Sequence, residues 1–65
     1  MKVKEIIDLL EISNRVEIYD KDGSCLCASV PLDENWGYSQ IEEFFNKEVN
    51  SLSTNDWYTL TITVK

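Results

Sequence analysis

The chain contains no histidine. That removes the most frequent general base, the base of the nucleophilic triads and a principal zinc ligand. Glycine occurs twice and proline once in 65 residues. So little of either leaves no room for long linkers or a glycine-rich phosphate cradle. Bases are scarce as well, six against twelve acids, for a formal charge of -6. Direct binding to nucleic acid wants a basic footprint, and so does an anionic membrane surface. Neither is expected. No apolar run nears the roughly 20 residues that span a bilayer. Glu5, Asp8 and Glu11 interrupt MKVKEIIDLLEIS, so it does not read as a signal peptide. The expectation is a cytoplasmic protein.

Only two cysteines are present, Cys25 and Cys27. On a strand, positions i and i+2 share a face about 6.5 to 7 Å apart. A disulfide between them would be strained, and two thiols do not make a zinc site. Asp20-Lys21-Asp22-Gly23 glances at a calcium loop. Aligning Gly23 with the loop's glycine puts Ile18 and Ser29 where oxygen ligands belong, and the match fails. The adjacent carboxylates Asp33-Glu34 and Glu42-Glu43 read as solvated, since neighbours on a helix do not face each other. No catalytic residue, metal or cofactor is expected, and the chain does not read as an enzyme.

What is present is patterned. Val3, Ile6, Ile7 and Leu10 recur at helical spacing, with Lys4, Glu5, Asp8 and Glu11 opposite. This predicts an amphipathic helix over roughly 2–11, with Asn14 as a left-handed residue past its end. RVEIYD, 15–20, alternates as a half-buried strand, and Asp-Gly in KDGS signals a hairpin. CLCASV alternates again, with Leu26, Ala28 and Val30 on one side and Cys25, Cys27 and Ser29 on the other. Pro31 ends that strand.

Residues 32–38 read as a loop. Ser39 with Glu42 matches a capping box, opening a second helix over roughly 40–49 with the stripe Ile41, Phe44, Phe45 and Val49. A short extended segment near 50–53 and a turn at Asn55-Asp56 lead to WYTLTITV, the clearest strand. Its inward set is Tyr58, Leu60, Ile62 and Val64.

The reading is a single α+β domain, 1–65, ordered α-β-β-α-β. Two helices pack on one face of a small, mainly antiparallel three-stranded sheet, with a fourth short strand near 50–53 as an option. The expected core is Val3, Ile6, Ile7, Leu10, Val16, Ile18, Leu26, Ala28, Val30, Ile41, Phe44, Phe45, Leu60, Ile62 and Val64.

Two surfaces are left over. The uncovered sheet face would carry Glu17, Tyr19, Cys25, Cys27, Ser29, Trp57, Thr59, Thr61 and Thr63. Of these, Tyr19, Cys25, Cys27 and Trp57 are the candidates for self-association, since such aromatics are enriched at interfaces. The second surface lies in DENWGYSQIEEFF, 33–45. Trp36 and Tyr38 flank Gly37 there among Asp33, Glu34, Glu42 and Glu43. The pair either lids the core or anchors a basic protein partner. The charge is uneven, net -2 over residues 1–32 and net -4 over 33–65. Rows of carboxylates on a rigid element can imitate phosphates, so the partner could itself handle nucleic acid.

MKVKEIIDLLE, then VEIYDKDG, then a β-rich C-terminal end resembles the small uncharacterised acidic proteins encoded by phages and prophages of Gram-positive bacteria. The resemblance covers the layout of most of the chain. It implies, at most, an inhibitor of a host defence, as the anti-CRISPR proteins are. It carries over no functional residue. The expected function is a non-enzymatic, acidic protein-binding module. The alternative is a homo-oligomeric structural or accessory protein of a mobile element, using its open sheet face.

Overall fold

A computed structural model of the chain describes residues 1–10, 15–56 and 59–65. Its elements are α1 (Val3–Leu9), β1 (Arg15–Asp20), β2 (Cys25–Pro31), α2 (Asn35–Glu42), β3 (Val49–Asp56) and β4 (Thr59–Val64). The strands form one mixed sheet in the order β2-β1-β4-β3. Two antiparallel hairpins, β1-β2 and β3-β4, lie side by side, and their inner strands β1 and β4 run parallel. The α+β class and the two helices match the expectation. The optional fourth strand near 50–53 is present as β3, longer than expected, and the sheet is still mainly antiparallel; what the expectation lacked is the strand order and the parallel pairing at its centre. A parallel pair needs a long crossover, and here the stretch containing β2, α2 and β3 supplies it.

α1 buries Val3, Ile6 and Ile7 and ends at Leu9, which is exposed. The predicted span to Glu11 is shortened, since Leu10 is already extended; Glu11 and the residue expected past the end, Asn14, lie outside the described residues. A helix start leaves amides without intrahelical partners. Here a distant segment supplies two acceptors: Val3 N–H donates to the Lys47 carbonyl at 3.0 Å and Lys4 N–H to the Phe45 carbonyl at 3.1 Å. Glu5 Oε1 accepts from Lys2 N–H at 3.1 Å.

The Asp-Gly hairpin is present. Gly23 N–H donates to the Asp20 carbonyl at 2.9 Å, and Asp20 N–H donates to the Ser24 carbonyl at 2.8 Å. Gly23 has φ +92°, the left-handed conformation that follows the turn and forms a bulge.

β2 departs from strict alternation. Val16 faces Val30, Ile18 faces Cys27, and Tyr19 faces Cys25. β2 therefore spends three residues where β1 spends two, then two where β1 spends one. Each extra residue inverts the faces beyond it. Cys27 is buried, while Leu26 and Ala28, expected in the core, are exposed. The two thiols consequently lie on opposite faces, and Cys27 leaves the list of surface residues.

α2 also starts earlier than the capping-box reading. Glu34 occupies its N-cap with no side-chain hydrogen bond, and Ser39 lies inside the helix. The buried positions are Gly37, Ile41 and Phe44, spaced as one helical stripe. Gly37 fills a stripe position where no side chain fits: a Cβ there would stand 1.9 Å from the Pro31 carbonyl oxygen. Past Glu42 the chain tightens. Phe44, Phe45 and Lys47 donate to carbonyls three residues back. Val49, expected on the helix, opens β3 instead. Asn55 and Asp56, expected as a turn, belong to the same strand.

One apolar cluster joins both helices to the sheet: Val3, Ile6, Ile7, Val16, Ile18, Cys27, Val30, Leu32, Ile41, Phe44, Ile62 and Val64. Leu10, Phe45, Val49 and Leu60 pack against it half-buried. Leu32, absent from the expected core, joins it from the start of the β2–α2 connection. Tyr58 lies outside the described residues.

Candidate protein-binding face

The acidic, aromatic segment that the sequence singled out is mostly helix. Asp33 precedes the N-cap residue Glu34, Trp36 and Tyr38 stand in the first turns of α2, and Glu42 and Glu43 close it. All six are exposed. No base lies between Asp33 and Glu43. The helix has a fixed seat. Gly37 brings its backbone against Pro31, while Ile41 is 0% exposed in the core.

Helical geometry sorts the side chains. Residues seven apart lie on one side, about 10 Å apart along the axis. Trp36 therefore shares a flank with Glu43. Burial is the main reason the Cys27 thiol's pKa is raised, followed by the Cys25 thiol and then by the charge of Glu43. Tyr38 shares the other flank with Glu42 and Phe45. Its ring meets Phe45 edge-on, with centroids 5.5 Å apart and planes at 82°. Lys4 Nζ stands 5.4 Å from the same Phe45 ring and bonds Asp8 at 3.2 Å. Tyr38 is thus partly a lid on the core, as one of the two sequence readings held. Trp36 is not. More than half of its surface, 57%, meets solvent.

Glu48, an obvious extension of the acidic row, is engaged elsewhere. Its Oε2 accepts from the Met1 ammonium at 3.1 Å, and that hydrogen bond, with the ammonium's charge, holds the carboxyl below its ordinary pKa.

The second candidate surface is the sheet face away from the helices. It forms a shallow depression of about 600 Å³ floored by Glu17, Tyr19, Thr61 and Thr63, with Ser51 and Ser53 to one side. Parallel pairing sets Glu17 beside Thr61 and Tyr19 beside Thr63. Thr61 Oγ1 donates to Glu17 Oε1 at 2.6 Å, and Glu17 is buried. Tyr19 and Cys25 are directly paired across β1 and β2. The charge of Glu17 is the main reason the Tyr19 phenol is shifted upward, followed by Cys25. Arg15 spends its guanidinium within the fold, donating from Nε to Ser29 Oγ and from its terminal nitrogen to the Ser29 carbonyl, both at 3.0 Å. Of the four residues expected on this surface, Tyr19 and Cys25 are there, Cys27 is in the core, and Trp57 lies outside the described residues.

Among the described residues no three of the cysteines and carboxylates come together as a metal site. None of the described helices is long and apolar enough to cross a membrane. Compared with family models, curated proteins and solved structures, the chain matches none.

Sequence reasoning missed Gly37 and Leu52. Gly37 sits at helical spacing from Ile41 and Phe44, but a glycine carries no apolar signal. Leu52 was read as part of a short extended segment, and its position on an exposed strand depends on pairing with β4.

Proposed function

We propose that this chain is a non-enzymatic, acidic protein-binding module whose α2 face engages a basic surface on another protein. The observation that carries this reading is Trp36. A large, rigid aromatic stands exposed on a firmly seated helix, between Asp33-Glu34 and Glu43, with no base in the segment. Exposed tryptophans of this kind make anchors, and surrounding charge gives complementarity and speed of encounter. A partner that handles nucleic acid would offer such a basic surface. Together with the resemblance to phage-encoded acidic proteins, this favours a phage-borne inhibitor acting in the host cytoplasm, in the manner of an anti-CRISPR.

The test is capture of a partner from a bacterial lysate at low and moderate salt, followed by affinity measurements on the purified pair. Trp36→Ala should weaken binding by about thirtyfold, matching the roughly 2 kcal/mol of a hot-spot residue. Glu42→Lys with Glu43→Lys should slow association and flatten its salt dependence. Affinity unchanged in both variants would sink the proposal.

The alternative reading, a homo-oligomeric accessory protein of a mobile element, is supported by the Tyr19–Cys25 pair on the open sheet face. Self-association that is lost in Tyr19→Ala would favour it.

A further inference from the structure

The sheet has two edges, and they are unlike. β2 carries two register irregularities within seven residues and ends in Pro31. Bulges and proline are the devices that keep an edge from pairing. β3 carries two as well, between Val49 and Ser51 and between Thr54 and Asp56, but they lie toward its ends and leave Ser51–Thr54 regular, whereas those of β2 interrupt its middle. These four residues pair regularly with β4, all are exposed, and none is charged. Among the described residues, the only cover on that edge lies before them. Val49 N–H donates to the Met1 carbonyl at 2.7 Å, and Lys2 makes a single antiparallel bridge to Glu48.

One apolar row crosses the sheet strand by strand. Cys27 faces Ile18, Ile18 faces Ile62, and Ile62 faces Leu52. Cys27 is 9% exposed and both isoleucines 0%, but Leu52, at the β3 end, is 46% exposed. The row stops at the edge without closure.

We infer that β3 pairs antiparallel with β3 of a second copy of this chain, about a two-fold axis at Leu52. That register is self-complementary. Leu52 meets Leu52 of the second copy, and the apolar row continues into its mirror image. Ser51 meets Ser53 of the second copy on the open face, and no like charges oppose each other between residues 50 and 54. Two four-stranded sheets become one of eight. This surface is distinct from the open sheet face and from α2, so each copy keeps its Trp36 face. The pairing is short, so the buried area falls below the roughly 1,200 Å² of a standard interface and the dimer is weak. Both copies carry -6, so salt tightens it by screening their repulsion. That is the opposite sign to an acidic α2 face on a basic partner.

The experiment is sedimentation equilibrium of the full chain from roughly 10 μM to 1 mM, the range that reports affinities of a few kcal/mol. It is run under reducing conditions at low and high salt, on wild type, Leu52→Lys and Trp36→Ala. Wild type and Trp36→Ala should dimerise alike and more tightly in high salt. Leu52→Lys should raise the dissociation constant at least tenfold while circular dichroism stays unchanged, because Leu52 is half exposed in the monomer. A monomer across the whole range overturns the inference, as does a dimer that Leu52→Lys leaves intact. Either result leaves the Trp36 reading standing.

Discussion

Gly37→Ala is expected to destabilise the protein, although alanine is the better helix former. At a solvated helix position the change would gain about 1 kcal/mol. Here the added Cβ would stand 1.9 Å from the Pro31 carbonyl oxygen and 2.9 Å from its carbon. Real Cβ contacts essentially never fall below 3.0 Å, so the gap must open by more than 1 Å. Neither side yields cheaply. Pro31 is the backbone end of β2, and α2 is pinned along the same stripe by Ile41, with Phe44 just beyond its end, in the core. Overpacking of this kind costs about 1–3 kcal/mol, and two backbones in contact place it at the upper end. After the gain in propensity, a net loss of about 2 kcal/mol remains. In a domain this small each kcal/mol moves the melting temperature by about 4–8 °C, so a fall of roughly 10 °C is expected. Thermal and urea unfolding followed by circular dichroism measure it. A variant as stable as wild type, or more stable, would refute the seating of α2 on Pro31. The variant should also weaken any contact made through Trp36, because that side chain rides on the displaced helix.

Three further outcomes follow from the same structure. Gly23→Ala should cost about 1 kcal/mol from the left-handed φ alone, since the added Cβ meets open space, and Gly23→Asn should recover part of it in urea melts. Under native conditions an alkylating reagent should modify Cys25 quickly and Cys27 slowly, because Cys27 is buried and its thiol is held protonated by that burial; fragmentation of the one peptide that carries both cysteines reads the difference by mass spectrometry, and equal rates would contradict the bulged register of β2. Glu48 has a depressed pKa in the folded state, so its contribution to stability is fully present above the unfolded glutamate pKa of about 4.3 and is lost as pH falls through the lower folded value. NMR titration should show the Glu48 carboxyl returning toward its ordinary pKa once the Met1 ammonium is acetylated.

Much of the architecture was legible because it rests on local periodicity. The α1 stripe, the β1 alternation and the Asp-Gly turn each depend on neighbours within a few residues. The acidic, aromatic character of 33–45 is likewise local, but the exposure of Trp36 is not: the sequence left it open between lid and anchor, and the seating of α2 decides it. The failures share a cause. Leu26, Ala28 and Cys27 were assigned to faces by strict alternation, and two extra residues in β2 inverted that assignment against β1. The capping box at Ser39 was a sound local pattern that lost to a tertiary one. Gly37 can approach Pro31 closely, and this lets α2 begin several residues earlier.

The sequence by itself determined the α+β class, the sign of the charge, most of the core and the composition of the candidate binding segment. Composition and short-range periodicity are properties of the chain whatever its neighbours. Only the tertiary structure decided that β1 and β4 run parallel, that polar β3 is a full strand, that Cys25 and Cys27 part company, and that Leu52 ends an unclosed apolar row. Each of these is a statement about register between segments far apart in sequence. A shift of one residue in that register exchanges inside for outside without altering any local pattern.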